Sequence, residues 1–237
     1  MLTDEFVSRA SRLLNLADYG HDVSSPVPVF SRGRWSPPGA SSQYILRMMV
    51  RSPSSGGLAI PESLRWLSQM IIACNSAQRL HGLDNPYVYV TVRHGEVSSV
   101  TDDSWHVDGF SMRVPHLPEQ SYISSSNYAT QWQDRTFPIP ESFDPLSHNM
   151  HDYLASVSSD ETARECEPWQ VYAIDPYCVH RRPPASRGQS RTFWRISFVP
   201  IEIEDDTCTP NPLLETKRYN RRDFRERLTQ WVLVTEN

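Results

Sequence analysis

Two short segments of this chain carry residue types that can do chemistry together. The first is Trp105-His106-Val107-Asp108-Gly109-Phe110. The second runs from Cys178-Val179-His180 to Arg191-Thr192-Phe193-Trp194-Arg195-Ile196-Ser197-Phe198. His180 follows His106 by 74 residues, and Arg191 and Arg195 follow His180 by 11 and 15. Two imidazoles and one carboxylate can hold Fe(II) on one face and leave the opposite positions open for oxygen and a co-substrate. An arginine beyond the second histidine can clamp a carboxylate of that co-substrate through two parallel charge-assisted hydrogen bonds. An HxD pair by itself is commonplace; its weight here comes from the second histidine and the arginines behind it.

Such groups must be brought together by strands. His106 and Asp108 are separated by one residue, which on a strand puts both side chains on one face, with Val107 turned into packing. His180 has to arrive from a strand distant in sequence and adjacent in space. On the last strand Arg191, Phe193, Arg195 and Ser197 share one side, and Thr192, Trp194, Ile196 and Phe198 the other. The apolar side is expected to pack on helices and the polar side to line a pocket, where buried arginines need anionic partners.

The rest of the pattern supplies those elements. Residues 2–17 read as an amphipathic helix behind Thr3 and Asp4, and residues 61–81 as a helix with Pro61 in its first turn and Gly82 beyond its end. Residues 22–43 are Ser-, Pro- and Gly-rich and irregular. Residues 43–51 suggest a strand, 52–57 a turn. Strands follow at 87–97, 109–114, 122–132, 169–174 and 191–200, with a short helix at 148–157 and a closing helix at about 220–234. The 19 prolines argue against a helical bundle. The expected fold is mainly β with bracing α-helices: a single domain over 1–237, with a β-roll core at about 87–200 and an N-terminal helical region at 1–86.

The formal charge of -5 offers no basic footprint for nucleic acid; the tract from Lys217 to Arg222 reads as a solvated helix start. No apolar run is long enough for a membrane span, and the first residues lack the features of a signal peptide. Four cysteines without a CxxC read as reduced thiols of a cytoplasmic protein.

His106, Asp108, His180 and Arg191, with Arg195-Ile196-Ser197 as a second candidate arginine, resemble the Fe(II)- and 2-oxoglutarate-dependent dioxygenase superfamily. Its motif is HxD, a distant His, and an Arg further on, often in an RxS-like form. The resemblance covers residues 87–200. It implies a double-stranded β-helix, a cupin-like jelly roll. His106, Asp108 and His180 would hold Fe(II), with 2-oxoglutarate chelating the metal and Arg191 binding its far carboxylate. The reaction it implies uses O2 and releases succinate and CO2 while a small-molecule metabolite is hydroxylated, desaturated or cyclised. The retained Asp108 favours these outcomes over halogenation. Tyr122, Asn127 and Thr130 follow the HxD, where the family often places a further cofactor hydrogen bond, and Asn127 is the choice among them. A cupin-like hydrolase or isomerase using Zn or Mn, and a non-catalytic β-roll binding module, are the competing readings. The arginine spacing favours the oxygenase over the first, the intact ligand set over the second.

Several other residues are set aside. His148 and His151 read as a capped surface helix without the glutamate of HExxH, His94 as a strand-end turn, His116 as a loop residue, and Cys178 as buried packing. Trp105 and Phe110 read as core or pocket wall. Specificity is expected from 22–60 and 111–150, and Arg113 and Arg182 are candidates for recognising a carboxylate or phosphate.

Overall fold

The computed structural model describes residues 1–11, 14–37, 44–83, 85–97, 104–108, 119–144, 147–184, 188–203 and 208–214. The Thr3 side chain accepts the Phe6 N–H and starts α1 (Asp4–Ala10), whose first turn carries Asp4 and Glu5. Asn15 then accepts the Ala17 N–H and starts a separate 3-10 helix, Leu16–Gly20. The single helix expected over 2–17 is thus divided, because an Asn side chain competes for backbone donors and favours a new cap over a continued helix.

The strands and helices that follow are β1 (Val27–Phe30), β2 (Tyr44–Arg51), α2 (Ser68–Leu80), β3 (Tyr87–Glu96), β4 (Gln120–Ser125), β5 (Gln131–Gln133), α3 (Met150–Val157), β6 (Ala163–Glu165), β7 (Val171–Ile174), β8 (His180–Arg181) and β9 (Ser190–Val199). The helix expected over 61–81 opens as a 3-10 helix, Glu62–Leu67, before α2. Gly82, at φ 70°, ends it in the left-handed region, and the Leu83 N–H donates back to the Gln78 carbonyl. The strand expected over 122–132 is two strands, β4 and β5, which lie in different sheets. Between them Tyr128 adopts φ 49°, and the chain turns from one sheet to the other. The strand expected over 109–114 and the helix expected over 220–234 lie outside the described residues, as do Phe110, Arg113, His116 and the 217–222 tract.

The fold is mainly antiparallel β-sheet with few helices. Among the described residues, six strands form one sheet in the order β1-β7-β4-β9-β3-β2, and three form a second in the order β6-β5-β8. In the large sheet β9 is central, paired along its length with β3 and, on the other side, with β4. Alternation gives it two chemistries. Val88, Val90 and Val92 of β3 and Trp194, Ile196 and Phe198 of β9 pack on Leu64, Leu67, Met70, Ile71 and Cys74 of the helical layer. The opposite face turns toward the second sheet, where Ile123, Ile174 and Cys178 pack with Trp132, Tyr172 and Phe193. The outer side of the second sheet is closed by α3: Met150 and Leu154 pack with Trp105, Val107, Tyr177 and Val179. Among the described residues no helix is long and apolar enough to cross a membrane.

One buried polar network ties the N-terminal region to the segment that delivers His180. Arg9 Nε donates to Asp175 Oδ2 at 2.7 Å, and Asp175 Oδ1 accepts from Ser24 Oγ at 2.6 Å and from the Tyr177 N–H at 2.9 Å. The Tyr19 hydroxyl donates to the Pro176 carbonyl at 2.8 Å. Asp175 is the buried anion of this network; without it Arg9 keeps only its ion pair with the more exposed Glu5, and the Ser24 hydroxyl and Tyr177 N–H lose their acceptor. Asp175→Ala should therefore cost about 3–5 kcal/mol of folding stability in urea unfolding. A loss below about 1 kcal/mol, the range of an exposed pair, would show that this network does not anchor the turn.

Candidate metal centre

His106 and His180 face each other across an isolated antiparallel bridge. The His106 N–H donates to the His180 carbonyl at 3.0 Å and the His180 N–H to the His106 carbonyl at 2.8 Å. Their rings lie 4.6 Å apart. Each ring is fixed by a second bond at Nδ1, which meets the Ser104 carbonyl in His106 and the Cys178 carbonyl in His180, both at 2.8 Å. A carbonyl can only accept, so Nδ1 carries the hydrogen and a neutral ring leaves its lone pair on Nε2. This backbone partner at the far ring nitrogen is the arrangement that orients metal-ligating imidazoles. Asp108 was expected to share a strand face with His106; it sits instead in the turn two residues on. One ligand atom from each of His106, Asp108 and His180 nevertheless lies within 4.8 Å of the others.

The electrostatics suit a cation. Burial lowers the His106 pKa to about 4, helped by His180 and opposed by Asp108, so its ring is neutral near pH 7. Burial alone would raise the Asp108 carboxyl, but Arg195 and His180 beside it hold it well below the usual range. Arg195 Nη1 forms an ion pair with Asp108 Oδ1. Burial would lower the Arg195 pKa, but Asp108 and Glu119 outweigh it and the guanidinium is held more firmly charged. Asp108 Oδ2 is buried, lies 3.5 Å from His180 Nε2 and has no hydrogen-bond partner among the described residues. A buried carboxylate oxygen without a hydrogen bond is costly. A divalent cation shared with the two imidazole nitrogens removes that cost, so these residues fit one. Two nitrogens and one oxygen suit Fe, Zn or Mn.

A cavity of about 180 Å³ opens beside this cluster, lined by Thr91, Arg93, His106, Asp108, Thr130, His180, Arg181, Arg182, Arg191, Phe193 and Arg195. Its walls come from both sheets: β3 and β9 on one side, the His106 bridge and β8 on the other. Arg191 and Arg195 share the β9 face that sequence alternation assigned to a pocket. Arg191 is 8% exposed and its guanidinium stands 4.9 Å from the Phe193 ring centre. Asn127 is not among the lining residues: it is exposed, and its side chain donates to the Ser190 carbonyl at 2.9 Å. Of the three residues considered for that role, Thr130 is the one that lines the cavity. Tyr122 lies in the helix-facing core, where its hydroxyl accepts from Gln78 Nε2 at 3.2 Å. Cys178 packs with Ile123 and Ile174, and the His94 Nδ1 meets Thr192 Oγ1 at 2.8 Å.

Sequence reasoning passed over Thr91 and Arg93. The alternation of Val88, Val90 and Val92 already implies that residues between and beyond them face the other way, and pairing sets Thr91 opposite Arg195 and Arg93 opposite Phe193. His151 was read as a surface residue. Its ring lies 5.7 Å from His106, and its Nε2 donates to the Val107 carbonyl between the two ligands at 3.2 Å. His148 faces elsewhere, its Nδ1 accepting the Asp144 N–H at 2.8 Å.

No family model and no curated protein matches this chain. Among solved structures, EvdO2 from Micromonospora carbonacea var. aurantiaca complexed with 2-oxoglutarate is similar at 12% identity, over 78% of this chain and 83% of that one, with a TM-score of 0.38. AviO1 from Streptomyces viridochromogenes Tue57 is similar at 14% identity, over 89% of each chain, with a TM-score of 0.31. Likenesses this distant carry no argument about activity, and the chemistry has to follow from the side chains.

The His106 shift has a measurable sign. Its pKa falls from 6.5 in the unfolded chain to about 4 in the fold, so between those values the unfolded chain binds the extra proton. Stability of the metal-free protein should therefore fall as pH drops from about 6.5 to about 4. Asp108, with its depressed pKa, adds a further loss that begins as pH falls through its ordinary value of 3.8 and continues below it. Thermal melts across this window, with His106→Gln as the comparison, check it: the variant should have a shallower slope. Equal slopes would mean that His106 is not held neutral by burial.

Proposed function

We propose that this chain is an Fe(II)- and 2-oxoglutarate-dependent oxygenase acting on a small molecule, built on a double-stranded β-helix. The observation that carries this reading is the convergence of His106, Asp108 and His180 at a cavity whose facing sheet presents Arg191. His106 and His180 would hold the metal through Nε2, their rings fixed by the Ser104 and Cys178 carbonyls. Asp108 would complete the set through Oδ2, while Arg195 occupies Oδ1 and keeps the carboxylate ionised. When bound, iron and 2-oxoglutarate would supply oxygen activation, in which 2-oxoglutarate is oxidised to succinate and CO2 while the substrate is hydroxylated, desaturated or cyclised.

The division of labour between the arginines follows from their positions on β9. Arg195 is paired with a ligand carboxylate, so its charge is already matched. Arg191 stands on the same face, buried beside Phe193, where a guanidinium can bind the far carboxylate of the co-substrate in a bidentate pair. The Thr130 hydroxyl is available for a further hydrogen bond in place of the exposed Asn127. Phe193 packs on Ile123 and Ile174 behind it, so the Arg191 guanidinium stands against an apolar surface, where an ion pair is stronger than in water.

Slow succinate release from 2-oxoglutarate in the presence of Fe(II) and O2 tests the assignment without the substrate. His106→Ala and Asp108→Ala should abolish it with far-ultraviolet circular dichroism unchanged; full turnover in Asp108→Ala would sink the metal assignment. Arg191→Ala should raise the apparent KM for 2-oxoglutarate roughly 10- to 100-fold, the worth of a charged hydrogen-bonded pair. Arg195→Ala should instead weaken iron binding about 10- to 100-fold, as loss of a group that orients a ligand does. If Arg195→Ala moves the KM and Arg191→Ala leaves it unchanged, the two roles are reversed.

A further inference from the structure

His106 and His180 fix one another through their paired backbone bonds, and a carbonyl holds each ring at Nδ1. Asp108 is aimed differently. It lies in the turn after His106, and the pairing at His106 is an isolated bridge that no strand continues among the described residues. Two peptide units separate Asp108 from the bridge. A peptide unit is planar, so fixing the direction of its carbonyl also fixes where the following α-carbon lies. The first unit is fixed by the bridge, because the His106 carbonyl accepts the His180 N–H at 2.8 Å. The second carries the Val107 carbonyl.

That carbonyl accepts from His151 Nε2 at 3.2 Å. A carbonyl only accepts, so Nε2 carries the hydrogen. His151 is itself well placed to act as a fixed donor. Asn149 Oδ1 accepts the His151 N–H at 3.0 Å and caps α3, and the adjacent Met150 is fully buried in one apolar cluster with Val107. The start of α3 therefore secures Val107 at both its side chain and its carbonyl. A second polar anchor of the helix lies away from the ligand segment: the Tyr153 hydroxyl donates to the Pro138 carbonyl at 2.7 Å.

His151 is not a ligand in this geometry. Among the described residues the group that can hold a metal is His106, Asp108 and His180. The His151 ring centre stands 5.7 Å from that of His106, and its Nε2 is committed to Val107. Any action on the metal has to run through the Val107 carbonyl. We propose that His151 is a positioning residue of the metal centre, whose hydrogen bond fixes the peptide plane leading into Asp108 and so sets Oδ2 against the two imidazoles. Arg195 holds the carboxylate at Oδ1; His151 holds the backbone from which it extends. This role rests on the metal-binding part of the function proposed above, and not on the identity of the co-substrate.

The test is Fe(II) affinity, measured anaerobically by competition with a chromophoric chelator. His151→Phe keeps a ring and removes the donor. His151→Gln removes the ring and returns an N–H donor at similar reach. Tyr153→Phe removes the other polar anchor of α3. His151→Phe should weaken Fe(II) binding about tenfold or more, as loss of a group that orients a ligand does, with far-ultraviolet circular dichroism unchanged. His151→Gln and Tyr153→Phe should bind Fe(II) as wild type does. Where His151→Phe does not fold, His151→Leu takes its place. Wild-type affinity in the donor-less variant overturns the proposal. Equal losses in His151→Phe and His151→Gln overturn it too, because the ring and not the bond is then what matters. So does a loss in Tyr153→Phe as large as that in His151→Phe, which assigns the effect to docking of the whole helix. Wild type that binds no Fe(II) removes the metal centre and this role with it. Wild type that binds Fe(II) without 2-oxoglutarate removes the oxygenase reading alone, and the variants still decide the role of His151.

Discussion

The antiparallel bridge between His106 and His180 is the constraint on which the rest of the site depends. Two backbone hydrogen bonds join residues 74 positions apart in the chain and leave their rings 4.6 Å from one another. Neither backbone could hold that register alone. Val107 and Val179, next to the two histidines, are buried against Met150 and Leu154, so packing behind the bridge keeps both rings on the cavity side. The His151 bond to the Val107 carbonyl and the Arg9–Asp175 network before Cys178 secure the two segments from either end. Desolvation follows from the same packing: it keeps His106 neutral and makes an unmatched Asp108 oxygen costly.

The facing sheet contributes through one strand. β9 lies between β3 and β4, so its backbone groups are satisfied on both sides and its side chains alternate between two environments. Trp194, Ile196 and Phe198 enter the helix-packed core. Arg191, Phe193 and Arg195 enter the cavity. The large apolar side chains on one face stabilise the fold enough to tolerate guanidiniums on the other. Asp108 meets Arg195, and the far carboxylate of the co-substrate is the ligand proposed for Arg191.

How far this could be read from the sequence depends on which residues had strong local signals. The alternation on β9 and the Tyr/Val run of β3 were legible because each strand separates an apolar face from a polar one. The helix expected over 61–81 was legible from its apolar stripe and the glycine beyond it, except that its opening turns, Glu62–Leu67, are 3-10. The division at Asn15 was missed because cap chemistry outweighed a continuous apolar periodicity. The division between β4 and β5 was missed because a turn through Tyr128 leaves no glycine or proline to mark it. Residue types and spacing brought His106, Asp108 and His180 together on paper, and the fold brings them together in space. Asn127 against Thr130 turned on where one turn ends, which spacing does not encode. Arg93 and His151 reach the site from elements whose tertiary placement decides their neighbours.

In the proposed function the cluster holds Fe(II) and 2-oxoglutarate then chelates the bound metal. The most direct test of this is an anaerobic titration of metal-free protein with Fe(II) followed by 2-oxoglutarate, monitored by visible absorption. A charge-transfer band that needs both additions and is lost in His180→Ala is the predicted result. Tight Fe(II) binding with no band on adding 2-oxoglutarate would contradict the account and leave a metal site of another chemistry. No metal binding would contradict it at the cluster itself.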